Sequence, residues 1–340
     1  MAIVVDDPTR PTPVYPILMK ILDLSRSAGI SDNNVRLIVA LGTHLLKDKS
    51  LIGTKLKKLL DTEIKVVLPN CLKSKDYVYV GQSRQKIPVF VHQDYSTADV
   101  KITISGIYPH GQAGFSGGAK ILIGILRIFT LSLFHKKLSS SGAGNVETPF
   151  RDELESFADL AGIDYSINIV PNHEKQVHRM WCGDFRTAFR AAAAYAKSRL
   201  GVQPEPDADL VLSNAYPLDT SLSVIQKSIW PFRYAKKNSK CVLIASPANL
   251  ADDRLRRCVS NREVYREAFR ISALISLLRR TRSQLKNKRL GMQFTRNPEL
   301  VWKRDFSFLI PQYNEPTAAK VKAVGSRAVF ASWDSLVSSF

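Results

Sequence analysis

"VKITISGIYPHGQAGFSGGAKILIG", residues 100–124, joins an alternating β-branched run to a glycine-rich turn and then to an apolar segment. A strand that ends in such a turn lets the backbone come close to a ligand at the start of the following helix. The turn is not a nucleotide P-loop. That motif needs G-x-x-x-x-G-K-[ST], so that amide N–H groups wrap the phosphates and a hydroxyl reaches magnesium. Here Gly117 and Gly118 are followed by Ala119, Lys120 and Ile121, which breaks the spacing and removes the hydroxyl. A magnesium-dependent NTPase is therefore not expected. Lys120 sits at the positive end of a helix dipole, an unfavourable place for a lysine without a task. A lysine there pairs with a phosphate or bonds covalently to a carbonyl carbon once its amine is desolvated.

Working outward, short aliphatic or β-branched runs recur at 35–42, 64–69, 87–92 and 165–170, then at 209–215, 241–246, 306–310 and 328–332. Helical patterns lie between several of them, at 49–60, 184–201 and 221–232. Strands alternating with helices predict an α/β fold with largely parallel sheets. The polar, proline-containing stretch "GVQPEPDAD" at 201–209 separates two sets of strand–helix units. Two α/β domains are expected, an N-terminal one over 1–203 and a C-terminal one over 207–340.

The chain has 340 residues, 45% of them hydrophobic, enough to bury a full core. The run "ILIGILRIFTLSLF" at 121–134 is too short to span a bilayer and is interrupted by Arg127, so it reads as a buried helix. No leader pattern opens the sequence, and cytoplasmic residence without membrane contact is expected. Cys71, Cys182, Cys241 and Cys258 are scattered and form no C-x-x-C pair, which argues against a zinc ribbon or a disulfide framework.

The formal net charge is +19, but it is regional. Residues 1–170 carry only +4, whereas 254–304 hold 15 basic residues against Glu263, Glu267 and Glu299. The segments 262–270 and 276–289 read as helices whose arginines face solvent. The rival reading is an anionic partner, with nucleic acid the less expected one.

Four motifs, in order, resemble the nickel-dependent lactate racemase family. "DDPTRP" at 6–11 is similar to its D-H-T-R-P segment, and "ALGTH" at 40–44 to its strand-end A-T-G-x-H. "HGQAGFSGGAK" at 110–120 resembles H-x-x-A-G-F-S-G-G-R-K, and "SNAYPLD" at 213–219, followed by Lys227, resembles N-G-G-Y-P-L-D. Each lies at the end of a strand-like run, where α/β proteins place their ligands.

The resemblance implies a 2-hydroxy acid racemase or epimerase, working in a cofactor cleft between the two domains. Lys120, on the turn made by Gly117 and Gly118, would carry a nickel-pincer nucleotide through a thioamide link, with His135 as the protein's nickel ligand. His44 and His110 would be the two catalytic bases. Arg10 and Lys227 would grip the substrate carboxylate, and Asp7 would orient Arg10. One histidine takes the hydroxyl proton while hydride leaves carbon, and a second on the opposite side returns a proton to the planar 2-keto acid. Cofactor-building enzymes are implied as partners. His92, His173 and His178 fall outside these motifs and read as structural.

The sequence also departs from the family pattern. Several dozen residues are expected ahead of "DDPTRP". Pro8 replaces a histidine, while Leu45 and Ala119 replace arginines. Ser223 and Val224 stand where a tyrosine and a glutamine line the lactate site, and "PANLADDRLRRC" follows "CVLIAS" in place of a glycine-rich segment. These changes point away from plain lactate and leave the cofactor set intact. The alternative is a non-catalytic relative that binds an anionic partner through 254–304.

Overall fold

The computed structural model describes residues 1–43, 50–138, 142–202, 208–219, 225, 228, 231–232, 235–245, 307–309 and 328–338. They divide into two compact units. The first holds Met1–Pro8 and Thr12–Arg199; the second holds Thr9–Pro11 and the described residues from Leu200 onward.

The first unit is built on a sheet of β1 (Ala2–Asp6), β2 (Arg36–Ala40), β3 (Lys65–Val67), β6 (Lys101–Gly106), β9 (Tyr165–Pro171) and β10 (Val177–Gly183). Its order is β10-β9-β6-β1-β2-β3. All neighbours run parallel except β10, which is antiparallel to β9. The alternation within β1 divides the core. Ile3 and Val5 join Leu37, Val39, Ile104 and Ile167 on one face, packed with Leu18 and Leu22 of α1 (Tyr15–Ser27) and Leu56 of α2 (Ser50–Leu56). Ala2 and Val4 join Ile38 and Ala40 on the other, packed with Leu122, Ile125, Phe134, Phe150 and Phe157. Both faces are covered, as a parallel sheet requires.

The strand order reverses at β1. From β1 the chain builds outward to β2 and β3, then returns to lay β6 on the opposite side of β1 and β9 beyond it. The carboxyl ends of β1 and β6 are therefore the topological switch point, where open α/β sheets bind ligands. A separate antiparallel pair, β4 (Tyr77–Gln82) with β5 (Pro88–His92), accounts for the run at 87–92, which does not enter the main sheet. A short hairpin, β7 (Pro109–His110) with β8 (Gly114–Phe115), follows β6.

The apolar run 121–134 is buried as expected but is not one helix. A 3-10 segment, Gly118–Ile125, ends before α4 (Ile128–Lys137). Between them Leu126 bridges Val91, and the Arg127 amide donates to the Phe90 carbonyl. Pairing with β5 takes the hydrogen bonds that a continuous helix would have used. The other α-helices among the described residues of this unit are α3 (Gln93–Ser96), α5 (Pro149–Ala161) and α6 (Phe185–Leu200).

In the second unit β11 (Ala208–Asn214), β12 (Ala235–Ile244), β13 (Ser307–Leu309) and β14 (Ala328–Phe330) form a parallel sheet in that order. Val242, Leu309 and Leu336 form its core, the last from α7 (Trp333–Val337), which Ser332 and Ser335 cap reciprocally. Among the described residues no helix is long and apolar enough to cross a membrane. The helical pattern at 221–232 is described only at 225, 228 and 231–232, and those at 262–270 and 276–289, with the basic stretch 254–304, lie outside the described residues.

Candidate functional site

The switch point is tied together by Asp6, the last residue of β1. Its Oδ1 accepts from Lys55 Nζ at 2.6 Å, and its Oδ2 from the Thr12 hydroxyl at 2.5 Å and the Gly106 amide at 3.1 Å. Lys55 Nζ also donates to the Asp7 carbonyl at 3.3 Å, and the Thr12 hydroxyl lies 3.3 Å from that of Tyr108. The side chains of Lys55 and Asp6 are 6% and 13% exposed, so this is a nearly buried ion pair, with the remaining carboxylate lone pairs also used. It joins the carboxyl ends of β1 and β6 to α2 and fixes the backbone at Asp7, which is itself buried.

Beyond β6 the hairpin presents His110. Its Nδ1 accepts from the amides of Gln112 and Ala113, both at 3.2 Å, in an imidazole version of the side-chain turn usually made by Asp or Asn. The turn beneath it is held from inside by Arg151 of α5. Arg151 donates to the carbonyls of Ala113 at 2.8 Å, Phe115 at 2.5 Å and Gly117 at 3.1 Å, and its guanidinium lies 4.0 Å over the Phe189 ring. The side chain is fully buried, and burial pulls its pKa down to about 9. Ionised at neutral pH, it supplies the fork of donors that successive loop carbonyls need.

The glycines follow from what surrounds them. Gly117 and Gly118 have φ of 93° and 55°, which side-chain-bearing residues rarely adopt. A Cβ on Gly118 would meet Phe189 at 2.8 Å, and the Gly118 amide donates to Asn168 Oδ1 at 2.8 Å. Asn168 is fixed in turn by its Nδ2, which donates to Ser166 Oγ.

His135 is carried by α4, within electrostatic reach of Lys120. His135 Nδ1 lies 2.9 Å from the Leu131 carbonyl, so Nδ1 carries the proton and Nε2 keeps its lone pair. Burial lowers the His135 pKa to about 4; the Leu131 bond opposes this, and the positive charge of Lys120 adds to it. The ring packs edge-on against Phe134 and Phe150. It is a neutral imidazole whose bond to a backbone carbonyl fixes its orientation, as metal-ligating histidines have. Among the described residues no group of three or more His, Cys, Asp or Glu side chains could hold a metal ion. Among the described residues a metal at His135 would find no protein cluster to complete its donor set, so a group carrying its own donors, such as a sulfur-armed cofactor, would suit the site. The residues present fit that group.

Arg10 belongs to the second unit, where its Nη1 donates to Thr9 Oγ1 at 3.4 Å. The "SNAYPLD" motif follows β11, with the Ala215 amide on the Ile244 carbonyl and Asp219 buried. His44 and Lys227 lie outside the described residues, as do Leu45, Ser223 and Val224. His92 is buried with its Nδ1 accepting from the Asp94 amide, and His178 Nε2 is 2.8 Å from the Tyr195 hydroxyl. Sequence reasoning missed Arg151, Asn168, and the Asp6–Lys55 pair. A basic residue in the first turn of a helix that begins "TPFRDELESF" was the available signal for Arg151, since cations are disfavoured there unless they serve something.

Residues 1–145 match the family model for the lactate racemase N-terminal domain. The chain is 24% identical over 256 residues to the lactate racemase of Lactiplantibacillus plantarum, covering 73% of this chain and 60% of that protein. It is 24% identical over 254 residues to the lactate racemase of Thermoanaerobacterium thermosaccharolyticum, with coverage of 72% and 59%. It thus spans about 60% of the length of the curated relatives it matches. Among solved structures, the lactate racemase apoprotein of Thermoanaerobacterium thermosaccharolyticum has a similar fold, with a TM-score of 0.70 and 19% identity over 96% of this chain and 78% of that one. A protein from Thermotoga maritima gives a TM-score of 0.61 and 16% identity over 96% and 86%.

Proposed function

We propose that the chain is a divergent member of the lactate racemase family and that it interconverts the two configurations of a 2-hydroxy acid using a nickel-pincer nucleotide attached to Lys120. The observation that carries this reading is the desolvated imidazole of His135, fixed by the Leu131 carbonyl and within electrostatic reach of Lys120. The imidazole is neutral with its Nδ1 committed to Leu131, and in this reading Nε2 is the atom that would meet the metal and Lys120 the residue that would hold the group bringing it. When bound, that group supplies a reversible acceptor for hydride. A single imidazole completing a sulfur-rich donor set suits nickel.

The chain's own residues supply the rest. Arg10 and Lys227 neutralise the substrate carboxylate, Asp7 orients Arg10, and His44 takes the 2-hydroxyl proton. His110 stands on the hairpin at the carboxyl end of β6, next to the turn that carries Lys120. Gly117 and Gly118 keep that turn close to the sheet, and Arg151 and Asn168 hold it there. The altered positions at Leu45, Ala119, Ser223 and Val224 favour a 2-hydroxy acid other than lactate.

Intact mass and metal analysis test the proposal, on wild type and Lys120→Ala co-produced with the cofactor-building enzymes. Added mass on wild type, about one nickel per chain, and neither on Lys120→Ala, is the expected result. Wild-type protein with no adduct and no nickel overturns it.

A further inference from the structure

We infer that Asp6 and Thr12 form a clasp that positions Arg10, because the hydrogen bond between their side chains closes the neck of the loop that carries it. Asp6 is itself fixed. It ends β1, its Oδ2 accepts from the Thr12 hydroxyl at 2.5 Å and the Gly106 amide at 3.1 Å, and its Oδ1 accepts from Lys55 Nζ at 2.6 Å. Thr9–Pro11 group with the second unit, whereas Pro8 and Thr12 on either side belong to the first. The chain thus leaves the first unit for three residues, one of them Arg10, and returns at the hydroxyl that Asp6 holds.

A carboxylate only accepts, so the single proton of the Thr12 hydroxyl is committed to Asp6. The Tyr108 hydroxyl, 3.3 Å from that of Thr12, is then the donor in their contact. Tyr108 is anchored in turn: its amide donates to Ser116 Oγ and its carbonyl accepts from the Ser116 amide, both at 2.8 Å. One line of donors, from Tyr108 to Thr12 to Asp6, therefore joins the Arg10 loop to the segment that leads into the His110 hairpin. Gly106 makes room for it, since a Cβ there would run into the Tyr108 ring and the Thr12 hydroxyl.

Within the loop, Pro8 and Pro11 hold φ near about −65°, and Asp7 and Thr9 are buried. With its neck closed and two prolines in it, the loop has little freedom left beyond the Arg10 side chain. A guanidinium grips a carboxylate through a planar fork of donors, so a misplacement of about 1 Å in its backbone weakens the grip. Asp6 and Thr12 are thus positioning residues. That Arg10 meets a substrate carboxylate rests on the 2-hydroxy acid reading above; the clasp does not.

Thr12→Val keeps the side chain's shape and removes the proton that Asp6 receives, whereas Thr12→Ser keeps that proton. In the cofactor-free full chain, hydrogen exchange over Asp7–Arg10, read by mass spectrometry, should be faster in Thr12→Val than in wild type and slow in Thr12→Ser. Equal exchange in wild type and Thr12→Val overturns the clasp, and so does an acceleration that extends to β9. Cofactor-loaded enzyme then reports the positioning, on whichever of lactate, 2-hydroxybutyrate and malate wild type turns over. Thr12→Val should raise KM about tenfold and change kcat by less than about twofold, with Thr12→Ser near wild type. Since the effect runs through Arg10, Thr12→Val should cost little more in an Arg10→Lys background. An unchanged KM, a loss in kcat alone, or an equal further penalty beside Arg10→Lys overturns the inference. If exchange behaves as expected and wild type turns over none of the three acids, the 2-hydroxy acid reading fails and the clasp stands.

Discussion

The carbonyl oxygen of Gly117 accepts from Nη1 of Arg151 at 3.1 Å, so the turn that leads to Lys120 rests on a guanidinium with no exposed surface. The same group serves Ala113 and Phe115, and its other neighbour is the face of Phe189. Removing it leaves three carbonyls in a dry site. Arg151→Met is expected to lower unfolding free energy by about 3 kcal/mol or more. Arg151→Lys should rescue little, because one ammonium cannot reproduce a planar fork. Urea denaturation of both variants checks this, and a loss below about 1 kcal/mol for Met would contradict it.

Asp6→Asn strands Lys55, whose side chain is only 6% exposed, without its carboxylate. A loss of about 2–4 kcal/mol is expected. Adding Lys55→Met should recover part of it, since the unpaired charge is then gone. A double-mutant cycle that returned simple additivity would show that the pair is not coupled.

Gly124→Ala places a Cβ 2.2 Å from that of Ala40 and 2.4 Å from its backbone. Neither neighbour can swing away, because Ala40 ends β2 and the Gly42 amide donates to the Gly124 carbonyl at 2.9 Å. Overpacking of this kind should cost about 2 kcal/mol or more. Since the displaced strand end leads into His44, cofactor-loaded enzyme should lose turnover even below its Tm. A crystal structure of the variant with β2 unmoved would refute the account.

Acid should destabilise the cofactor-free protein through His135. Burial drops its pKa to about 4 in the folded chain, against an ordinary value near 6.5. Between those limits the unfolded chain binds the extra proton, so stability falls as pH drops from about 6.5 toward 4, by about 2–3 kcal/mol in all. Buried His92, also shifted downward by desolvation, adds in the same direction. His135→Phe should therefore flatten the slope of unfolding free energy against pH without abolishing it. An unchanged slope would argue that His135 is already protonated in the fold.

Much of the frame was legible because period-two apolar runs report burial on a sheet directly, and the strands of both sheets follow them at 36–40, 101–106 and 165–171 and again at 208–214 and 235–244. Two strands of the main sheet were not read at all: β1, a short run at the very start of the sequence, and β10, whose "VHRMWCG" is largely exposed and carries no alternation. The break at Leu126 was hidden for a different reason: an apolar run reads the same whether its backbone bonds to itself or to β5. At the site, glycines and histidines announce themselves by type. Arg151 and Asp6 look like surface charges in sequence, and only the fold shows that their partners are backbone groups buried with them.

β1 lies at the middle of its sheet, with Ala2 opposite Arg36 on one side and Lys101 on the other. A ribosome releases these five residues long before it makes the second neighbour, so β1 cannot be completed until β6 has been made. Contacts that span so much of the sequence slow the search for the native topology. The half-made chain carries a bare apolar edge, "AIVV", through that interval.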